Sequence, residues 1–95
     1  MTSILPYVDF AKKVMDAAKE VTQNSADMKV EDRDIHVEVK GRFHSLSEPW
    51  VWDGYALDVK SGISAQSKHY KGQHGAMEHA VKKLCDKMRE KEILK

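Results

Sequence analysis

The stretch IHVEVKGRF, residues 35–43, decides the fold of this chain, because apolar and polar residues alternate along it. This period of two is typical of a strand in a sheet with one buried and one exposed face. Residues 28–30 are predicted to pair with it as a short strand, since residues 31–34 have turn chemistry. The predicted core side carries Ile35, Val37, Val39 and Phe43, and the predicted solvent side carries His36, Glu38, Lys40 and Arg42.

Two further strands are predicted downstream of a loop at residues 44–49. Residues 51–59 alternate again, and the apolar majority suggests that Val51, Tyr55, Leu57 and Val59 point inward while Trp52, Ala56 and Asp58 point outward. Residues 63–68 form a more polar strand, which favours an edge position. A loop is predicted at residues 69–75.

Helices are predicted at residues 5–23 and 76–93, because apolar residues recur there at three- and four-residue spacing. Each helix has a single apolar stripe, which needs a sheet to cover it. The sequence therefore predicts one α+β domain spanning residues 1–95. Its order is α-β-β-β-α, with an antiparallel three- to four-stranded sheet and two helices packed on one face.

Composition limits the function classes. The chain has 95 residues, which leaves little room for a deep cleft beside one core. Its single cysteine, Cys85, excludes an internal disulfide and a cysteine-rich zinc site. The sequence has neither an export signal nor a run of about 18 apolar residues, so we expect a cytoplasmic protein without a membrane partner.

No pattern in the sequence predicts catalysis or a cofactor. His74 and His79 are five residues apart, which turns the second ring about 140° from the first on a helix, whereas zinc helices space their histidines by four. Cys85 falls in an apolar helical pattern, which is typical of a buried, inert thiol. Gly-rich phosphate loops and nucleophile motifs are missing. We expect no enzyme activity, no catalytic residues, no metal and no cofactor.

Charge is unevenly distributed along the chain. Residues 1–59 have seven basic and eleven acidic side chains, a net charge of −4, whereas residues 60–95 have nine basic and four acidic ones, a net charge of +5. Such a molecule can turn one face toward an anionic partner, although both signs can equally belong to solvated faces.

The predicted partner-binding segment lies in the basic half. Lysines, histidines and a tyrosine crowd a loop that leads into a helix N-terminus, where anions are favoured, and lysines continue along that helix. Phosphates of RNA or DNA suit this pattern, as do acidic side chains of a protein. A solvated helix face with a flexible loop is the structural alternative. The residues are Lys68, His69, Tyr70, Lys71, His74, Lys82, Lys83 and Lys87.

Trp50 and Trp52 complete the predicted binding residues. On an alternating strand both rings share a face opposite Val51, and large exposed aromatic side chains often anchor partners. The alternative is that Pro49 breaks the register, so that one tryptophan covers the open edge of the core.

Two resemblances follow from these features. The element order over residues 35–88 resembles the double-stranded RNA-binding domain, although that family carries lysines where this sequence has Gly75-Ala-Met-Glu78. The overall profile, a small charge-rich domain without catalytic motifs, is similar to phage-encoded inhibitors of the anti-CRISPR kind. This second resemblance implies docking on a host nucleoprotein complex, in the host cytoplasm.

The sequence thus predicts a non-enzymatic binding protein that docks on a protein–nucleic acid assembly as an inhibitor. Direct contact with RNA or DNA phosphates, as a small regulator, is the first alternative. A structural homodimer, paired through an edge strand or an exposed aromatic face, is the second. The monomeric state stays open beside it.

Overall fold

The computed structural model describes residues 6–94 and confirms the predicted α+β architecture. The elements are α1 (Tyr7–Lys19), β1 (Ser25–Val30), β2 (Arg33–Phe43), β3 (Trp50–Asp58), β4 (Ile63–Tyr70) and α2 (Gln73–Glu90). The four strands form one antiparallel sheet in the order β1-β2-β3-β4. The predicted short strand is β1, and the predicted helix start at residue 5 lies outside the described residues.

One side of the sheet holds the core. Helix α2 packs across β2, β3 and β4, while α1 packs against α2 and β1. The apolar stripe of α1 buries Phe10, Val14 and Ala18. On the facing side of β2, Ile35, Val37 and Val39 are buried, as the alternation predicts. We call this side the inner face and the opposite, uncovered side the outer face.

The predicted orientation of β3 is wrong. Register with β2 places Ala56 opposite Val37 and Asp58 opposite Ile35, so both face the helices and are fully buried. Tyr55 and Leu57 therefore lie on the outer face, and Val59 is 55% exposed. Val51 pairs with Arg42 and so lies on the same side of the sheet as Tyr55, which makes its predicted inward orientation wrong even though its side chain is fully buried.

A paired charge explains how an aspartate comes to lie in the core. The Arg33 guanidinium donates two hydrogen bonds to Asp58, from Nη2 to Oδ2 at 2.8 Å and from Nε to Oδ1 at 3.2 Å. The backbone N–H of Ser61 also donates to the Asp58 carboxylate. A buried carboxylate is tolerated when it is paired and hydrogen-bonded. The inner face of β3 can therefore carry a charge that looks solvent-exposed in the sequence.

The predicted loop at residues 69–75 is also wrong. Strand β4 continues to Tyr70, which pairs with Trp52 of β3 and packs against the core. His69, at φ 67°, lies where the register of β3 and β4 shifts. Helix α2 begins at Gln73, three residues earlier than predicted, so only Lys71 and Gly72 separate strand from helix.

Candidate functional site

The β2–β3 hairpin ends in an exposed apolar surface. Phe43 and Trp50 are cross-strand partners on the inner face, yet their exposed fractions are 62% and 53%. Leu46, in the connecting loop, is 94% exposed. We call Phe43, Leu46 and Trp50 the hairpin tip. Phe43 was predicted to be in the core, but helix cover does not reach this part of the inner face.

Trp50 has a defined position on this surface. A Cβ atom placed on Gly41 would lie 2.4 Å from Trp50 Nε1 and 3.0 Å from its Cζ2. The indole ring therefore lies directly over the Gly41 backbone, at a place where any side chain would displace it. An aromatic ring packed over a strand glycine is a known way of covering such a position.

Trp52 and Tyr70 contribute to the core at the base of the tip. Both are partly buried against the core cluster and face each other across β3 and β4. The Tyr70 ring stacks on His79 of α2, with centroids 4.3 Å apart and planes at 26°. Both tryptophans therefore lie on the inner face and not on the predicted solvent side, with Trp52 partly buried against the core and Trp50 exposed. Pro49 does not break the register, since Trp50 and Trp52 pair in order with Phe43 and Gly41.

A polar network ties the end of β4 to the hairpin loop. The His69 backbone N–H donates to Asp53 Oδ1 at 3.0 Å, and His69 Nε2 lies 2.8 Å from Glu48 Oε1. The His69 ring also contacts His44 edge-on, with centroids 4.4 Å apart. Arg42 donates to Asp53 from Nε at 2.8 Å. Asp53 thus links the end of β4 to Arg42 of the hairpin.

The same network holds Asp53 ionised. The hydrogen bond from Arg42, together with the His69 backbone N–H, holds the pKa of the Asp53 carboxyl below its usual value, and nearby Lys68 adds to the effect. Asp53 also raises the pKa of Arg42. The Asp53 carboxylate is therefore occupied by partners within the chain.

Two basic side chains lie near the end of β4. Lys68 lies on the outer face beside Asp53, and Lys71 lies in the two-residue turn before α2. Among residues 6–94, neither lysine has a carboxylate within ion-pairing distance, and the neighbouring Asp53 carboxylate is paired with Arg42. His74 Nε2 lies 2.9 Å from the Val21 carbonyl oxygen, so this ring holds α2 against the segment after α1.

The three helix lysines do not belong to this surface. Because an α-helix rises about 1.5 Å per residue, the Cα atom of Lys83 lies about 15 Å along the α2 axis from that of Gln73, and the Cα atom of Lys87 about 21 Å. Lys87 donates to the Ser64 carbonyl oxygen at the far end of β4, at 2.9 Å. Lys82 and Lys83 are exposed. The structure thus divides the predicted basic segment into a group at the end of β4 and a separate group on α2.

The outer face carries a feature that the sequence analysis missed. An open concavity of about 670 Å³ lies over β2, β3 and β4, and it is lined by Lys40, Tyr55, Gln66 and Lys68 among others. The residues are spaced two apart on β2 and β4, a signal that was visible in the sequence. The wrong orientation assigned to β3 hid it, because Tyr55 was placed in the core.

The environment of Cys85 makes its thiol unreactive. Cys85 is fully buried in the core, and desolvation, with smaller contributions from Asp86 and Asp58, raises the pKa of its thiol to about 12. A thiol with such a pKa stays protonated at neutral pH and is a poor nucleophile. Within residues 6–94, no group of three or more potential metal ligands comes together.

Comparison with known proteins identifies no relative of this chain. None of the helices in the described part of the chain has the length and apolar character needed to cross a membrane. The chain matches no protein-family model, no curated protein and no solved structure.

Proposed function

We propose that this protein is a non-enzymatic binding protein that docks on a protein–nucleic acid assembly and inhibits it, with the hairpin tip as its anchor. The observation that carries the proposal is the exposed pair Phe43 and Trp50, held in place on an ordered hairpin. Burying one large apolar side chain contributes about 1.5–3 kcal/mol of free energy, so a partner that covers both rings would gain a substantial part of its binding free energy from them.

Pre-organisation supports the same proposal. The Trp50 ring lies on Gly41, and the hairpin loop is closed by backbone hydrogen bonds from the His44 N–H to the Pro49 carbonyl oxygen and from the Ser45 N–H to the Glu48 carbonyl oxygen. A side chain that is already ordered loses less conformational freedom when it binds, so more of its burial energy appears as affinity. The tip is therefore suited to insertion into an apolar pocket on a partner.

Charge supports the choice of a nucleoprotein partner. Lys71 lies in the turn before α2 and Lys68 on the outer face at the end of β4, and neither pairs with a carboxylate among the described residues. Lysines at the rim of an interface speed association with an anionic surface and make binding sensitive to salt. An assembly that contains nucleic acid presents such a surface beside protein pockets.

The test compares two exposed apolar positions on the tagged, full chain. Trp50→Ala removes the anchor, whereas Val8→Ala shortens a side chain on α1 that is 73% exposed and far from the proposed contact. We expect the wild-type chain and Val8→Ala to recover the same stoichiometric complex containing nucleic acid from host extract, and to inhibit the purified assembly. Trp50→Ala should weaken binding by at least about 30-fold.

Three results would contradict the proposal. The first is equal binding by Trp50→Ala and the wild-type chain, and the second is a captured complex without nucleic acid. The third is concentration-dependent self-association through the tip in light scattering, abolished by Trp50→Ala, which would favour the homodimer.

A further inference from the structure

We infer that the outer-face concavity binds a single strand of nucleic acid, with Lys40 and Lys68 contacting phosphates and Tyr55 stacking on a base. The inference rests on the proposed function, since it names the component of the assembly that the sheet contacts. It concerns a surface distinct from the hairpin tip, because the concavity lies on the outer face and the tip on the inner face.

The first argument is uncompensated positive charge. Lys40 lies opposite Asp53 in the β2–β3 register, and Lys68 is close enough to Asp53 to lower the pKa of its carboxyl. Asp53 is already hydrogen-bonded to Arg42 and to the His69 backbone N–H. This corner of the outer face therefore has three basic side chains around one occupied carboxylate, and an anion placed there gains from the excess.

The second argument concerns the other acid in the lining. Glu38 Oε1 lies 2.8 Å from His36 Nε2, and Asp27 Oδ1 lies 2.6 Å from His36 Nδ1. These acids thus surround a histidine toward the β1 side of the outer face. Glu38 also lines the concavity opposite Tyr55, so its carboxylate is the one that a bound strand passes, while Asp27 lies outside the lining.

The third argument is the position of Tyr55. It is half-buried on the central strand, opposite Glu38 on one side and Gln66 on the other. Lys40 and Lys68 lie on β2 and β4, two strand spacings or about 10 Å apart. An aromatic ring between basic groups is the arrangement used for single strands, where bases stack and the backbone follows positive charge.

The geometry favours a single strand over an acidic peptide. A peptide carboxylate uses the two lysines but has no use for a ring face, whereas a nucleotide uses both. The Gln66 side chain adds an amide that can donate to and accept from a base edge. An extended acidic peptide is therefore the alternative that the experiment has to separate.

The experiment measures fluorescence anisotropy of labelled oligouridylate and oligothymidylate of about ten nucleotides with the full chain. The variants are Lys40→Ala/Lys68→Ala, Tyr55→Leu, and a control, Lys82→Ala/Lys83→Ala, that removes the same charge from α2. We expect the outer-face pair to weaken binding at least tenfold. The slope of log affinity against log salt should shrink by about 1.4, for two lost phosphate contacts.

Tyr55→Leu should weaken binding by roughly 5- to 150-fold with little change in the salt slope, because it removes stacking and no charge. The helix control should leave affinity close to that of the wild-type chain. A circular dichroism spectrum of each variant confirms that it is folded, and all four lysines are exposed.

Several outcomes would overturn the inference. They are no binding of either oligonucleotide, an equal loss with the helix control, and no effect of Tyr55→Leu. A labelled polyglutamate peptide that binds more tightly than the oligonucleotides, and that depends on Lys40 and Lys68 but not on Tyr55, would assign the surface to an acidic protein.

Different results would contradict the docking proposal and the outer-face inference. If the complex with the assembly forms and depends on Trp50 while oligonucleotides do not bind, the outer-face inference is wrong and the docking proposal stands. If oligonucleotides bind through Lys40 and Lys68 but no complex forms, the docking proposal is wrong and the outer-face site stands.

Discussion

Gly54 and Gly75 should respond in opposite ways to the same substitution by alanine. A Cβ on Gly54 would lie 2.3 Å from the Ala76 carbonyl oxygen, 2.6 Å from Ser67 Oγ and 2.8 Å from the Ala76 carbonyl carbon. Two of these atoms belong to the backbone of α2, which cannot turn aside as a flexible side chain does. Because comfortable contacts begin near 3.5 Å, the helix would have to move by about 1 Å.

The cost of Gly54→Ala can be estimated from two contributions. Overpacking a close contact costs about 1–3 kcal/mol. The same movement strains the buried hydrogen bond that Ser67 Oγ donates to the Ala76 carbonyl oxygen at 2.5 Å, worth about 1 kcal/mol. We therefore expect the free energy of unfolding to fall by about 2–4 kcal/mol. That is a large part of the 5–14 kcal/mol typical of a chain this size.

Gly75→Ala tests the same substitution in open space. Its added Cβ meets nothing nearer than Tyr70 Cδ1 at 4.0 Å, and the residue lies in the first turn of α2. Alanine has the higher helix propensity, so stability should rise by about 0.5 kcal/mol. Urea unfolding followed by tryptophan fluorescence and circular dichroism measures both variants. A Gly54→Ala protein as stable as the wild type would refute the close approach of α2 to β3.

Three further predictions follow from buried and titrating groups. Arg33→Met should lower the free energy of unfolding by about 3–5 kcal/mol in urea titrations, because Asp58 stays buried without its cation; a loss under about 1 kcal/mol would contradict the pairing. Hydrogen bonds to Glu38 and Asp27 raise the pKa of His36 in the folded protein, so this group adds stability below about pH 6.5 that disappears as pH rises through the raised value. His36→Gln should therefore flatten the melting temperature across that range, and an unchanged profile would rule this group out. Cys85 should react with a thiol reagent only after denaturation, since its buried thiol has a pKa of about 12; rapid labelling of the native protein would show that the helix packing is loose.

Alternation along β2 predicted its buried face correctly because every inner residue from Ile35 to Val39 is β-branched and apolar. The same rule failed for β3, whose inner face includes Gly54 and Asp58. Gly54 is small because the α2 backbone lies against it, and Asp58 is buried because Arg33 reaches it from β2. Both reasons depend on partners distant in sequence, which a local pattern cannot reveal.

The binding residues were predicted with mixed success for a related reason. Charge and aromatic content identified the region around Trp50 and Lys68, and the structure brings these residues to the same end of the sheet. Composition does not show which charged groups already have partners within the fold. The Lys87 ammonium group, for example, donates a hydrogen bond to the Ser64 carbonyl oxygen. Tyr55 was missed because an aromatic residue in an apolar strand is normally assigned to the core. Tyr55 lies on the outer face because of the register of β3. The sequence pattern does not show this register, because the charged residue Asp58 is buried on the inner face.

The place where α2 begins determines what the sheet leaves uncovered. Gln73 Nε2 donates to Asn24 Oδ1 at 2.8 Å, and His74 Nε2 lies 2.9 Å from the Val21 carbonyl oxygen. These two contacts fix the start of the helix to the segment after α1. The hairpin runs on beyond that point, which leaves Trp50 exposed as a consequence of helix position. On the outer face, the Asp53 carboxylate accepts hydrogen bonds from Arg42 and from the His69 backbone N–H. Trp50 and Lys40 lie on opposite faces of the sheet, so each surface can be removed without the other.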